Sequence, residues 1–505
     1  MPLSNYNTSS YSQILKSSAI VGGAQGIDIL ISMVRIKVVA LLLGPSGVGL
    51  IGLYQSAIEV LGKISGLGIR SSGVRQVAEA HGTGNDERLG RTVKVLQRAC
   101  WITGLFGWLL TIALARPLSL WVFDNSEKAL ALALLGSALL ITCFAETQSA
   151  LLQGFRRIAD LARVMVFSSI GGTLISISLY AWLGARGIVP ALLATASITL
   201  AVSWWFSRRV TTPVVVMKWR ETAREARPLI SLGLAFMWSG ILTTGVAFAI
   251  RGLIIRDFGI DASGFYQAAW GISGLFAGFI LHAMSKDFYP RLTAVAHQNN
   301  YINQLVNEQA EVGILLALPG LLATIAFSPL VIQVFYTAKF ITAAEMLPWF
   351  VIGVFGRVIS WPLGFIQLAK GASITYTATE TAANALHLFF VWVGLRYMGI
   401  VGVAVAFAVL YGCYTVIVFW VAVRLSGFRW SRSVVKLIVF SAIFIGMVFG
   451  IINLFPGTPA TISSLILVLI SGIYCLRQLV LRLGPEHRIS KLAATVPGVG
   501  RYFQA

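Results

Sequence analysis

Long apolar runs separated by short polar breaks repeat along the whole chain, and a membrane-crossing helix needs roughly 20 such residues. On that measure the pattern predicts about fourteen helices, near 17–43, 48–69, 99–121, 128–150, 164–184, 187–206, 229–256, 262–284, 311–336, 344–368, 376–396, 399–423, 434–455 and 460–483. The longest polar connections, about 70–98, 207–228 and 285–310, are each too short to bury a core, so no soluble domain is expected. The first apolar run carries Asp28 and Arg35 and lacks a small-residue cleavage site, so it is expected to persist as the first helix. The chain therefore reads as an all-α polytopic membrane protein.

Four marks in the first half return in order about 212 residues later. Gly52-Leu53-Tyr54-Gln55 is echoed by Gly264-Phe265-Tyr266-Gln267, and the Arg-x-x-Ala-x-Ala-His run from Arg75 to His81 by the one from Arg291 to His297. Leu152-Gln153 is matched by Ile366-Gln367, and Gly184-x-Arg186 by Gly394-x-Arg396. The shared order predicts one membrane unit written twice: an amino-terminal lobe over 1–210, a carboxy-terminal lobe over 211–425, and two further helices with a tail over 426–505. Paired bundles are a common way to build a path that opens alternately to either side, so the repeat points to transport.

Composition sharpens this reading. The 505 residues are 57% hydrophobic and only 11% charged, yet carry a formal charge of +20. Lys and Arg gather in alternate connections, among them Arg70, Arg88, Arg98, Arg157, Arg209, Lys218, Arg424 and Arg432, as the positive-inside rule demands of cytoplasmic loops. The excess charge is thus a topology signal rather than a nucleic-acid footprint, and it places both termini in the cytoplasm. Both copies of the Arg-to-His run then fall on one side, so the halves run parallel. Cys100, Cys143, Cys413 and Cys475 show no paired spacing, which predicts neither a disulfide framework nor a metal site. No P-loop and no His-Glu-x-x-His pattern occurs, and the outer loops are too short for a catalytic platform, so enzymatic activity and cofactors are not expected.

The residues of greatest interest are charges inside spans: Asp28, Arg35, Glu59, Lys63, Glu146, Arg251, Arg357 and Glu380. At about 2.5–3.5 kcal/mol per charge at mid-membrane, exposing all of them to lipid would cost on the order of 20 kcal/mol. They are therefore expected to face protein or water. Helical spacing groups them into stripes: Ser18, Gln25, Asp28, Ser32 and Arg35 in the first helix, Thr142, Glu146, Ser149 and Gln153 in the fourth, and Thr377, Glu380, Asn384 and His387 in the eleventh. Stripes from both halves that converge would form a wet chamber bearing Arg35, Lys63, Arg251 and Arg357, suited to an anionic passenger. Plainer readings compete at some positions. Glu59 and Lys63, one turn apart, can neutralise each other, and Lys37 and Arg256 can snorkel to the interface. Glu146 or Glu380 can serve as a structural hydrogen-bonding group. Pro190, Pro319 and Pro362 are read inside spans, Pro362 as a hinge beside Arg357, and Trp238, Trp270 and Trp361 either stack on sugars or fill the bundle.

Three segments resemble a known family. Leu43-Gly44-Pro45-Ser46-Gly47-Val48-Gly49, Asp287-Phe288-Tyr289-Pro290-Arg291-Leu292-Thr293 and Tyr336-Thr337-Ala338-Lys339-Phe340 look like the O-antigen and enterobacterial-common-antigen translocases, the Wzx flippases, over about residues 12–425. Val34-Arg35 followed by Gly44 is similar to the first helix of lipid II flippases, where an arginine belongs to the substrate cavity. The resemblance implies the multidrug/oligosaccharidyl-lipid/polysaccharide exporter fold, two six-helix lobes in a V around a central cavity, here with two extra helices. It implies a bacterial inner-membrane flippase for undecaprenyl-diphosphate-linked oligosaccharide, moved from the cytoplasmic to the periplasmic leaflet in contact with membrane lipid. Coupling to H+ or Na+ through Asp28, Glu59, Glu146 or Glu380 is expected from their titratable character, with a polysaccharide polymerase and chain-length regulator as partners. Two alternatives stand beside it: a cation-coupled exporter of small molecules, which would favour carboxylates over arginines in its cavity, and a non-transporting scaffold, which needs no inward charges.

Overall fold

The computed structural model describes the backbone of residues 4–483 except 83–84, 156, 214 and 456. Side-chain surroundings are described for the same residues apart from 4–22, 70–72, 75, 82, 227–236, 239, 276–277, 279–287, 290 and 458. Among them every regular element is helical: α1 (Ser4–Gly66), α2 (Ile69–Gly82), α3 (Asp86–Phe123), α4 (Ala129–Gly154), α5 (Ile158–Leu183), α6 (Ile188–Ser207), α7 (Trp219–Ala294), α8 (Asn299–Ala326), α9 (Ser328–Phe335), α10 (Ile341–Ala369), α11 (Ser373–Met398), α12 (Val401–Ser426), α13 (Arg432–Leu454) and α14 (Thr458–Leu483). α1 and α7 each contain a break, at Gly44 and Gly259. Dividing them there, and setting aside the short α2 and α9, leaves fourteen long helical segments among the described residues. Eight described stretches are apolar and long enough to cross a membrane by composition alone. α11 is not one of these eight; its stripe of Thr, Glu, Asn and His sets it apart.

The polar connections are less loop-like than their composition suggests. The 70–98 stretch folds as α2 and the first turns of α3, whose start is fixed by Asn85: its side chain accepts the Arg88 amide at 2.9 Å, with Asp86 and Glu87 favourably placed in the first turn. Pro190 lies in the first turn of α6 rather than inside a span, where it costs no intrahelical hydrogen bond, whereas Pro319 and Pro362 sit within α8 and α10. Arg157, one of the charges counted for topology, and Arg163 clamp the buried Asp160 carboxylate from either side at 2.8 Å each.

The chain forms two compact units. The first comprises residues 1–264 and Phe335–Thr337; within it α3 packs on α4, α4 and α5 on α6, and α5 on α1, around a core that includes Val77, Leu96 and Leu151. The second comprises residues 265–334 and 338–505; α10 packs on α12 and α8, α11 on α12, and the core includes Leu292, Ile302, Leu363, Ile366 and Phe428. The two last helices belong to this unit and attach to α8. Their polar tie is Arg482 of α14, which pairs with Glu311 of α8, while Ser433 of α13 donates to the same carboxylate at 2.6 Å.

The internal repeat is legible in the backbone, at a spacing of 215 rather than about 212. Gly44 (φ 64°, ψ −167°) and Gly259 (φ 86°, ψ 173°) adopt the same glycine-specific conformation 215 positions apart, and both are followed at once by a new helix. α5 and α11 begin and end 215 positions apart, each closed by a glycine at positive φ, Gly184 and Gly399. Gly184 thus corresponds to Gly399 and not to Gly394: the left-handed residue that ends the helix fixes the register, which the Gly-x-Arg match does not. The fit of the small residues repeats too. Gly187 presses on the Leu179 carbonyl as Gly402 presses on that of Gly394, again 215 positions on. At Gly44 and Gly259 no atom lies within 4 Å of an added Cβ, so only the backbone resists substitution there. Gly44→Ala and Gly259→Ala are each expected to lower stability by about 1–3 kcal/mol, read as a lower thermal midpoint in detergent.

A crossing inside the first unit joins the equivalent ends of the repeat. Gly49 lies against the Ile260 carbonyl and the Gly264 amide, and Gly264 against the Pro45 carbonyl. Ser46 donates to the Asp261 carboxylate. Pro45 and Ile260, Ser46 and Asp261, Gly49 and Gly264 are all 215 apart, so each residue here meets its own counterpart or that of a near neighbour.

Candidate functional site

Charged and polar side chains in the first unit come from α1, α4 and α7. Arg251 is almost fully buried, 7% exposed, and its Nη1 donates one turn back to the Ala247 carbonyl at 3.1 Å. The next residue, Gly252, lies under the Trp121 indole of α3, which also meets Phe248 at 5.9 Å. Trp121 therefore packs over the helix that carries Arg251. Arg35 is half-buried on α1 and lies close enough to the buried Tyr180 of α5 to act on its hydroxyl electrostatically. Asp28 is half-buried on the same helix, while Gln25 is exposed.

Lys63 and Glu146, 83 positions apart in sequence, line one cavity of about 330 Å³. Gly62, Cys100, Thr103, Cys143, Thr147 and Met237 complete much of its wall. The expected neutralisation of Lys63 by Glu59 is not found: the two are exposed and make no ion pair with each other. The Lys63 chain instead lies along Gly240 of α7, where a Cβ would stand 3.1 Å from its Cδ. Cys143 bonds to the Cys100 carbonyl at 3.4 Å, so both thiols act here as weakly polar packing groups. Lys37 donates to the main-chain carbonyl of buried Tyr336.

In the second unit α10, α11 and α12 bring Arg357, Glu380, Asn384 and His387 together with two tyrosines that sequence reasoning did not single out. Tyr414 donates to Glu380 Oε1 at 2.8 Å. The Arg357 guanidinium carbon stands 6.0 Å from the Tyr411 ring centre, and Arg357 and Glu380 both act electrostatically on the Tyr411 hydroxyl. Asn384 donates to the Glu380 main-chain carbonyl at 2.8 Å, and the His387 ring lies 5.9 Å from Phe407. Behind them fully buried Gln367 accepts from Thr379 at 3.0 Å. Only tyrosines one turn apart on α12 could have announced this wall, and among many apolar aromatics that signal is weak.

The tryptophans resolve differently from one another. Trp270 is wedged edge-on between Phe350 and Phe407, at 5.6 and 5.1 Å, and Trp361 stacks with Phe288 and meets Phe365 at 4.5 Å, so both serve packing. Trp238 is half-exposed. In the Asp-Phe-Tyr-Pro-Arg-Leu segment, Phe288 and Leu292 are buried core residues, while the side chains of Asp287 and Pro290, like that of His282, lie outside the described residues.

Helices broken at equivalent glycines, a twofold repeat and charged groups held within membrane-length helices define a polytopic transporter fold. The same fold occurs in the inward closed conformation of the lipid II flippase MurJ, with a TM-score of 0.69 at 12% identity over 92% of this chain and all of that one. An inward-facing multidrug resistance MATE family transporter of the MOP superfamily is similar to the same degree, TM-score 0.69 at 16% identity, over 79% of this chain and 95% of its own. The family model described as polysaccharide biosynthesis protein matches residues 38–345, more than half of the chain, and the chain belongs to that family. It is also 23% identical to the lipid III flippase of Escherichia coli (strain K12) over 384 residues, 75% of this chain and 90% of the relative.

Proposed function

We propose that this protein is a flippase that carries undecaprenyl-diphosphate-linked oligosaccharide from the cytoplasmic to the periplasmic leaflet of a bacterial inner membrane, with both termini cytoplasmic. The observation that carries the reading is Arg251, an arginine nearly inaccessible to solvent on a membrane-length helix, with Arg35 on the corresponding helix of the first half. Buried guanidinium groups are costly unless an anion or a hydrogen-bonding network holds them, and diphosphate oxygens suit a guanidinium fork. The relatives named as lipid II and lipid III flippases support the same substrate class. In this reading the lobes over 1–210 and 211–425 alternate access, Arg35 and Arg251 meet the diphosphate, Lys63 and Arg357 line the chamber around it, and the glycan occupies the polar interior while the prenyl tail stays in lipid. Glu146 beside Lys63, and Asp28, Glu59 and Glu380, are the carboxylates available for coupling to H+ or Na+. The arginines weigh against the export of small cationic drugs, whose binding they would oppose.

The test uses the purified full chain in proteoliposomes loaded with fluorescent undecaprenyl-diphosphate oligosaccharide, with outer-leaflet exposure read by an impermeant quencher. Protein-dependent translocation is expected, faster under an imposed proton or sodium gradient. Translocation no faster than in empty liposomes would sink the reading, and export of a cationic dye instead would favour the drug-exporter fold relatives. A rate indifferent to both gradients would remove the coupling carboxylates while leaving the flippase intact.

A further inference from the structure

The wall in the second unit differs chemically from what a diphosphate requires. Arg357 and Glu380 carry opposite charges and both act on Tyr411, yet they form no ion pair with each other. The Arg357 guanidinium makes no hydrogen bond to a described residue, and Glu380 uses one carboxylate oxygen on Tyr414. The Asn384 amide nitrogen is spent on a main-chain carbonyl, which leaves its oxygen to accept. A donor, acceptors and the Tyr411 ring thus lie on three mutually packed helices, all half-buried. Tyr411 is held rigidly: a Cβ at Gly356 of α10 would stand 3.0 Å from the Tyr411 Cβ, and Phe407 and Tyr414 meet its ring edge-on at 4.8 and 6.0 Å.

An anion that only accepts hydrogen bonds could use the guanidinium but would face the Glu380 carboxylate. A pyranose ring has hydroxyls that both donate and accept, and a face of C–H bonds that packs on an aromatic ring. We propose that Arg357, Glu380, Asn384 and Tyr411 form a sugar-reading subsite that takes a polyhydroxylated pyranose of the carried lipid rather than its diphosphate. The inference rests on the flippase reading and refines it. Of the two readings open for Trp270 and Trp361, stacking on sugars or filling the bundle, the structure favours packing for both. Tyr411 takes their place.

The experiment compares binding of bare undecaprenyl diphosphate with that of undecaprenyl diphosphate carrying N-acetylglucosamine, galactose or a disaccharide, on the full-length protein in nanodiscs. Wild type should bind at least one glycosylated lipid more tightly than the bare one. Tyr411→Ala and Asn384→Ala should each lose about tenfold of that affinity while binding the bare lipid unchanged, and Tyr411→Phe, which keeps the ring, should stay within about threefold of wild type. Equal loss for bare and glycosylated lipids would overturn the subsite and make the cluster a diphosphate clamp or a packing element. Wild-type indifference to the sugar would overturn it as well. Failure of wild type to bind even the bare lipid would instead bring down the flippase reading, and the subsite with it. Thermal midpoints of all three variants near that of wild type would confirm that the losses are not unfolding.

Discussion

Gly264→Leu is expected to leave almost no folded protein, and Gly49→Leu the same. At each position an added Cβ would come under 3.0 Å from backbone atoms of the crossing segment: the carbonyl of Pro45 in one case, that of Ile260 and the amide of Gly264 in the other. Backbone in mid-helix cannot yield as a side-chain tip can, so the clash must be relieved by parting the helices. In a membrane, close packing of small residues is itself a principal source of helix association, so the loss is not offset by hydrophobic burial elsewhere. The penalty should exceed the about 1–3 kcal/mol typical of overpacking and reach the range above about 4 kcal/mol that marks exceptional substitutions. Gly402→Ala, which would drive a methyl group into the Gly394 backbone, belongs to the same class. Gly446→Ala is the control, since nothing lies within 4 Å of its Cβ position. Monodispersity on size exclusion and the thermal midpoint in mild detergent check the series. A Gly264→Leu protein that elutes and melts like wild type would show that the two segments do not touch as described.

Removing the charge at Arg251 should slow translocation sharply without removing the protein. Arg251→Gln and Arg35→Gln are each expected to slow flipping roughly 30-fold or more, because losing one partner of a desolvated charge-assisted contact costs about 2–5 kcal/mol. The two positions should differ in the conservative exchange. Arg251 is buried, with its fork already engaged with the Ala247 carbonyl, so Arg251→Lys should recover little activity. Arg35 is only half-buried and Arg35→Lys should recover more. Thermal midpoints near wild type for all four variants, together with the rate of quencher-accessible lipid, decide the matter. Wild-type flipping by Arg251→Gln would place the diphosphate elsewhere and remove the observation on which the proposed function stands.

Sequence determined the helical class, the number of long segments and the existence of a repeat, because each rests on patterns that survive any packing. Apolar length sets the spans, charge asymmetry sets their expected orientation, and left-handed turns recruit glycine at Gly44, Gly184, Gly259 and Gly399 whatever surrounds them. It also singled out the charges within apolar runs, Arg251 among them, since ionisable residues there stand out by composition alone. Tertiary structure decided how those charges are used. Lys63 lines one cavity with Glu146 and makes no ion pair with its neighbour Glu59, and Lys37 bonds to a carbonyl 299 positions away. Tyr411 and Tyr414, not the tryptophans, stand beside Arg357 and Glu380. Partner choice depends on which helix faces come together, and one residue of rotation moves a side chain by about 100° around its helix, so periodicity can name a stripe but not what stands opposite it.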